Sequence, residues 1–207
     1  MGLGYTIAYR LGFTPWEWGG GTGSALLGRL LDREVDERRT EGTPPDGPLG
    51  KALDLGCGRG RHSVELAQRG WQVTGVDAVP RAVEQARQRA AGTGATFLVG
   101  DVTDLAGSGV GTGFDFFLDA GCFHGLADHQ RAAEAHGVTT AATDTATMLL
   151  LAFAPGSHRG PLPRGVDRAG VERAFTHWEV VDQVAAPAPP RGPLKNAAPS
   201  IYRLRRR

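Results

Sequence analysis

The chain has 207 residues, 41% hydrophobic and 22% charged, which suits one globular domain that builds its core without disulfide or metal staples. A formal net charge of +1 argues against a dedicated nucleic-acid or anionic-membrane surface, and two cysteines, Cys57 and Cys122, make no disulfide framework and fit a reducing cytosol. No apolar run reaches the roughly 18 residues that span a bilayer, and no secretory segment is read after Met1, so a cytoplasmic protein without a membrane partner is expected.

Glycine, at 31 residues, is about double the ~7% usual in globular chains, which predicts many tight turns. The basic residues are nearly all arginine, with Lys51 and Lys195 the two lysines, and with the alanine excess this reads as a GC-rich bacterial genome. In chain order, Tyr5, Tyr9, Phe13, Trp16 and Trp18 lie among glycines and read as an aromatic flap. Ser24 then caps a helix whose Leu26, Leu27, Leu30, Leu31 and Val35 form one apolar stripe. Thr40 to Gly50 is a turn-rich linker. The expected organisation is a single domain over 1–207, with flap, helix and linker in 1–48 and a core in 49–207.

Beyond the linker, short apolar runs mark strands at Lys51–Cys57, Gln72–Asp77, Ala95–Gly100, Phe114–Cys122, Ala146–Phe153, His177–Val184 and Ser200–Arg205. Helical patterns fall at Arg61–Arg69, closed by Gly70, and at Arg81–Ala91 behind Pro80, with further helices at Asp128–His136 and Asp167–Phe175. Strands alternating with helices predict a doubly wound α/β sheet of parallel strands buried on both faces. Between the last two runs stands only a Pro-rich loop, Ala185 to Pro199, too short for a parallel crossover, so the final strand should run antiparallel. The closing run Arg203-Leu204-Arg205-Arg206-Arg207 reads as a solvated strand end rather than an RNA contact.

The residues that carry chemistry begin at Asp54-Leu55-Gly56-Cys57-Gly58-Arg59-Gly60, where a buried strand enters a glycine turn and then a helix. Glycines there let backbone N–H groups approach a ligand that a Cβ would push away. Asp77 ends the second strand 17 residues after Gly60, the place from which an acid accepts both ribose hydroxyls of an adenosine ligand. Asp101 ends the third strand, where a carboxylate can take an adenine amino group and Val102 can offer its N–H to the ring.

Together with Val76-Asp77, Gly100-Asp101-Val102 and Phe114-Asp115…Asp119, this turn resembles the successive motifs of class I S-adenosylmethionine (SAM)-dependent methyltransferases. The likeness covers about Leu49 to Phe153. Phe13-Thr14-Pro15-Trp16-Glu17 and Gly121-Cys122-Phe123-His124-Gly125-Leu126 are similar to the small-molecule branch, which holds thiopurine-, thiol- and tellurite-type enzymes and bacterial methyltransferases of heterocyclic toxins. The resemblance implies a Rossmann-like, seven-stranded sheet, SAM as cofactor and S-adenosylhomocysteine as product. It implies that Gly56, Cys57, Gly58 and Gly60 follow the methionine part, that Asp54 orients the turn, and that Ala78 and Trp16 join the cofactor contacts. Asp119 and Ala120 would face the amino group and the methyl, while Arg61 would meet the methionine carboxylate or stand solvated. The Pro-Gly-Gly turn usual before the fifth strand is missing, and Thr139–Thr145 stands there instead.

Methyl transfer from a sulfonium is an in-line displacement with its leaving group built in, so orientation in a closed site supplies most of the rate, up to roughly 7–11 kcal/mol. No triad or metal cluster is therefore required, no acid cluster is read at the fourth strand's end, and no metal is expected. His124, just after that strand, is the first candidate for a general base, the alternative being a packing or capping histidine; Asp119 is the second. His129 and His136 read as surface. Tyr9, Trp18, His124 and Arg159 are candidate acceptor contacts, with His158 and Arg164 nearby. Three rivals stand beside small-molecule methylation. A nicotinamide dehydrogenase needs G-x-G-x-x-G, whereas this turn is G-x-G-x-G. A catalytically inactive SAM-binding regulator would share the same motifs. A base methylase would carry Asn/Asp-Pro-Pro-Tyr/Phe where Asp119-Ala120-Gly121-Cys122 stands. Monomer or homodimer, and O, N or S as the methylated atom, stay open.

Overall fold

The computed structural model describes residues 22–40, 42, 47–156, 164–187 and 199–207. Seven strands form one sheet in the order β3-β2-β1-β4-β5-β7-β6: β1 (Lys51–Leu55), β2 (Gln72–Asp77), β3 (Thr96–Val99), β4 (Phe114–Ala120), β5 (Ala142–Phe153), β6 (Trp178–Ala185) and β7 (Pro199–Arg206). The first five pair in parallel, and β7 runs antiparallel to both β5 and β6, as the short connection requires. The described helices are α1 (Thr22–Thr40), α2 (Arg61–Gln68), α3 (Pro80–Arg89), α4 (Asp128–Ala141) and α5 (Arg168–Ala174), with a 3-10 turn at Phe123–Gly125. None of them is long and apolar enough to cross a membrane.

Period-2 alternation along the strands divides the core between the two faces of the sheet. Phe116 and Leu118 of β4 meet Leu27, Leu31, Leu66 and Trp71 on the face covered by α1 and α2. Phe114 and Phe117 meet Val138, Val171, Phe175 and Trp178 on the face of α4 and α5. Each such buried side chain contributes about 1.5–3 kcal/mol. The same alternation sends Asp54 toward α2 and Asp119 toward α4, which decides their partners.

Four expectations are corrected. The first helix starts at Thr22, so Ser24 lies inside it, and its hydroxyl accepts a hydrogen bond from Arg61 instead of capping. Helix α4 runs five residues past His136, through Gly137, because a Cβ there would sit 3.3 Å from Leu105 and the bare backbone packs in its place. It passes directly into β5 without a separate turn. Between the pairs Phe114↔Ala142 and Phe116↔Thr147 the surplus residues of β5 bulge out, and the Thr143 hydroxyl donates to Asp115 (3.1 Å). Finally, Arg203 is no solvated end: its guanidinium donates to Glu34 of α1 (3.0 and 3.2 Å) and to Glu37, tying the last strand to the first helix.

Candidate active site

β1 and β4 are neighbours, while the chain runs from β1 outward to β3 and from β4 outward to β5. The carboxyl edge at β1/β4 is therefore the topological switch point, where open α/β sheets bind their ligands. The glycine turn after β1 sits there. Gly56, Gly58 and Gly60 have φ of 65°, 52° and 73°, a region that L side chains rarely adopt. A Cβ on Gly60 would lie 2.8 Å from that of Ala86, and one on Gly56 2.9 Å from that of Cys122, so both positions are held to glycine by space as well. Gly60 starts α2, whose N-terminus faces the same edge.

Asp54 supports the turn from below. It is buried and accepts the Ser63 hydroxyl (2.6 Å); burial pushes its carboxyl up to about 6, with the nearby His62 and Ser63 working against that rise. Cys57 is buried and its thiol is pushed far above the ordinary range by burial and by Asp54 and Asp77, so it acts as a small filler. Arg61 reaches Glu65 (3.2 Å) and Ser24 on the outer side of α2.

Asp77 locks turn and strand together. One carboxylate oxygen accepts the Gly58 N–H (2.9 Å) and the other the Val79 N–H (2.8 Å). Carboxylate oxygens accept up to two donors each, the chemistry a vicinal diol uses. Ala78 follows, half-buried. One strand further out, Asp101 accepts from Thr103 N (2.9 Å) and Oγ1 (2.8 Å), its own N–H donates to Ser108, and the Val102 side chain is fully buried beside it.

At the end of β4 the structure departs from expectation. Asp119 is fully buried and winds the following turn around itself: one oxygen accepts the Gly121 and Cys122 N–H groups (2.9 and 2.8 Å), the other that of Phe123 (2.9 Å). A carboxylate so enclosed shapes the loop after Ala120. Its further partner is Glu134 of α4, also fully buried, whose oxygens receive no donor N–H or O–H from the described residues. Burial, with the Asp119 charge beside it, drives the Glu134 carboxyl well above its ordinary range, while burial raises Asp119 to about 6 against the pull of its three N–H donors. An acid pair therefore does stand at this strand end, with Cys122 alongside. Spacing along the chain could not show it, because Glu134 arrives from α4; the signal was its place with Arg131, Ala135 and Val138 on the inward stripe of that helix.

His124 is buried, stacked on Phe153 (centroids 4.9 Å apart), and its Nδ1 accepts the Phe153 backbone N–H (3.1 Å). Arg131, another residue the sequence reading passed over, clamps this turn by donating to the carbonyls of Phe123 (3.2 Å), His124 (3.0 Å) and Gly165 (2.7 Å). His129, His136 and Arg164 are exposed. Tyr5, Tyr9, Phe13, Trp16, Trp18, His158 and Arg159 lie outside the described residues.

The comparisons with known proteins agree with this edge. Residues 52–141 match the family described as "Methyltransferase domain". A 2-heptyl-1-hydroxyquinolin-4(1H)-one methyltransferase of Mycobacteroides abscessus is 32% identical over 141 residues, 66% of this chain and 61% of that relative, so the chain spans about three-fifths of its length. Among solved structures, the 1,6-didemethyltoxoflavin-N1-methyltransferase of Burkholderia thailandensis, with 1,6-didemethyltoxoflavin and S-adenosylhomocysteine bound, superposes with a TM-score of 0.71 at 22% identity, over 98% of this chain and 85% of its own. The N-methyltransferase NodS of Bradyrhizobium japonicum gives 0.69 at 16% identity, over 93% and 91%. Shorter matches of 46% identity over 59 residues reach 23S rRNA (uracil(1939)-C(5))-methyltransferases of Shewanella and cover 27% of this chain. Residues 52–141 thus resemble a methyltransferase domain, and the strand order gives the chain the α/β fold of these solved methyltransferases.

Proposed function

We propose that the chain binds SAM and transfers its methyl group to an O, N or S atom of a small aromatic or heterocyclic molecule, releasing S-adenosylhomocysteine. The observation that carries this reading is the coupling of the glycine turn to Asp77 through the Gly58 N–H, which sets a backbone cradle and a diol acceptor side by side at the switch point. The cradle fits the cofactor because Gly56, Gly58 and Gly60, all at positive φ, leave the turn without side chains between its backbone and a ligand. In this reading Gly56, Cys57, Gly58 and Gly60 line the methionine portion, Asp77 and Ala78 take the ribose, Asp101 and Val102 the adenine, and Ala120 borders the methyl, with Trp16 and Arg61 as further contacts. Bound SAM supplies the electrophilic methyl on a sulfonium leaving group; the chain's own work is to orient the acceptor in line and exclude water. Tyr9, Trp18 and Arg159 are assigned to the acceptor side. Between the quinolone and toxoflavin methyltransferases among its relatives, a planar heteroaromatic acceptor is favoured over RNA, since the rRNA methylase matches stop at a short stretch of the chain. We also infer a single domain over 1–207 in a reducing bacterial cytoplasm, in keeping with two free cysteines.

Calorimetric titration of SAM, S-adenosylhomocysteine and NAD against the wild type and Asp77→Ala tests the reading. Micromolar binding of SAM and S-adenosylhomocysteine is expected, weakened roughly 10- to 100-fold by the substitution, as the loss of hydrogen bonds to a charged group implies. Binding of NAD in preference to SAM, or no SAM binding, overturns it.

A further inference from the structure

Arg131 of α4 carries a charge into a buried position, 9% exposed. Its ion-pair partner among the described residues is Asp128 (3.3 Å), whose side chain is 99% exposed, so that pair contributes little. Backbone encloses the guanidinium instead: Nε donates to the Phe123 carbonyl (3.2 Å), and one terminal nitrogen donates to those of His124 (3.0 Å) and Gly165 (2.7 Å). Burial is the largest influence on this charge and lowers the guanidinium from its ordinary value. An apolar side chain would fill the same space without that cost, so the use of the arginine lies in what it holds. The carbonyls belong to two separate segments, the turn after β4 and the chain returning at Gly165. Three further hydrogen bonds close this seam with the end of β5: Gly165 N–H to the His124 carbonyl (3.1 Å), Val166 N–H to the Phe153 carbonyl (2.8 Å) and Phe153 N–H to His124 Nδ1 (3.1 Å). Gly165 is itself held to glycine, with φ of 76° and the Ala154 carbonyl where a Cβ would stand.

We propose that Arg131 is a positioning residue for methyl transfer: by locking the turn after β4 to Gly165, it fixes the wall beside which the acceptor stands. It touches neither acceptor nor SAM. The inference rests on the proposed function, in which Ala120 borders the methyl and the residues after it face the acceptor. Arginine suits the task because its planar fork presents donors in fixed directions, whereas a lysine ammonium is a point charge on a flexible stem. In-line transfer makes the fixing matter, since a misplacement of about 1 Å can cost on the order of 10²-fold in rate. The cofactor side is held separately. Asp119 accepts the Gly121, Cys122 and Phe123 N–H groups, so the packing of Cys122 on Gly56 stays when Arg131 is lost. Loss of the arginine should therefore loosen acceptor placement and leave cofactor affinity alone.

Amide hydrogen exchange comes first, on the 15N-labelled wild type and R131M with no ligand added. The Gly165 N–H should exchange about tenfold faster or more in the variant, while the β4 amides keep their wild-type rates. An unchanged Gly165 rate overturns the proposal whether or not SAM binds, so failure here is distinct from failure of the methyltransferase reading. S-adenosylhomocysteine is then titrated by calorimetry. R131M should bind it within about threefold of the wild type; a larger loss makes Arg131 a support of the cradle and overturns the assignment. Turnover is measured with SAM and a panel of hydroxyquinolines and N-heterocycles, counted per S-adenosylhomocysteine-binding site. On the acceptor that the wild type methylates fastest, kcat should fall ~10–100-fold in R131M; a fall confined to KM, or no fall, overturns the proposal. R131K keeps the charge without the fork and should stay about fivefold slow or worse, and a wild-type kcat in R131K overturns the role of the fork. R131K also takes the place of R131M throughout if R131M does not fold. G165A opens the same seam from its other side, so the double variant R131M/G165A should be no slower than the slower single one. Losses that multiply would mean two independent effects and overturn the lock. If the wild type methylates nothing on the panel, the proposed function and the rate part of this inference fall together, and the exchange result still decides the lock.

Discussion

Asp119 and Glu134 illustrate how a buried carboxyl is read from its donors rather than from its type. Three backbone N–H groups stabilise charge on Asp119 and none reaches Glu134, so a proton held by the pair is expected on Glu134. The consequence is testable. Glu134→Gln replaces the acid O–H by an amide N–H that can donate to the same oxygen, so the thermal midpoint at pH 7 should stay within about 3 °C of the wild type or rise. Glu134→Lys brings a cation into a fully buried site and should unfold the chain or lower the midpoint far more. A Gln variant that destabilises as strongly as the Lys variant would mean that Glu134 is ionised in the native protein. At Asp77 both oxygens are anchored by turn N–H groups, which aims the carboxylate along the strand edge.

The elements of the sheet were largely legible in the sequence because each is specified locally. Apolar runs, Pro80 at the start of α3 and Gly70 just past α2 act within a few residues, and they mark the strands and helices closely. The glycine turn and Asp77 were equally plain, since strand-end position is a local property. What local pattern cannot carry is partnership across the chain. Glu34 and Arg203 are 169 residues apart, and nothing near either one announces a buried ion pair. The β5 bulge is hidden for the same reason, because register belongs to two strands at once. The ion pair gives an element-scale prediction. Removing Glu34 takes an acceptor from Arg203, Arg38 and Thr147 at once and leaves Arg203 the Glu37 carboxylate, a break in a buried network that costs about 3–5 kcal/mol, whereas replacing Glu34 and Arg203 together by apolar residues of similar size is often neutral. Glu34→Ala should therefore lower the thermal midpoint by about 10 °C, at the ~2–4 °C per kcal/mol usual for a chain this size, and undock α1 from β7. The double variant E34L/R203M should recover most of that loss. Equal losses in both variants would show that packing of α1, and not its charge pairing, is what matters.

At the scale of the whole molecule, the site edge is a concentration of buried acids: Asp54, Asp77, Asp119 and Glu134 all lie under 5% exposed, within one side of a fold whose net charge is +1. Such an edge suits a cationic sulfonium ligand, and it lowers stability when no ligand is bound. Asp54 lets the cost be measured. Its carboxyl sits at about 6 in the folded chain, raised by burial, against an unfolded value near 4. Between those values the native state binds the extra proton, so the unfolding free energy falls as pH rises from about 4 to about 6 and the penalty is complete above 6. Two pH units correspond to about 3 kcal/mol. Asp54→Asn removes the ionisation and can keep an acceptor oxygen for Ser63. Its stability relative to the wild type should therefore be near zero at pH 4 and increasingly positive up to pH 7, read from urea midpoints at each pH. Taking the difference between the two proteins cancels groups that do not interact with Asp54; His62, whose charge opposes the rise at Asp54, belongs to the measured difference. The same variant should bind SAM more weakly, because the turn above Asp54 loses its charge. A pH-independent difference would place Asp54 in a solvated environment and separate the stability of the fold from the acidity of its site.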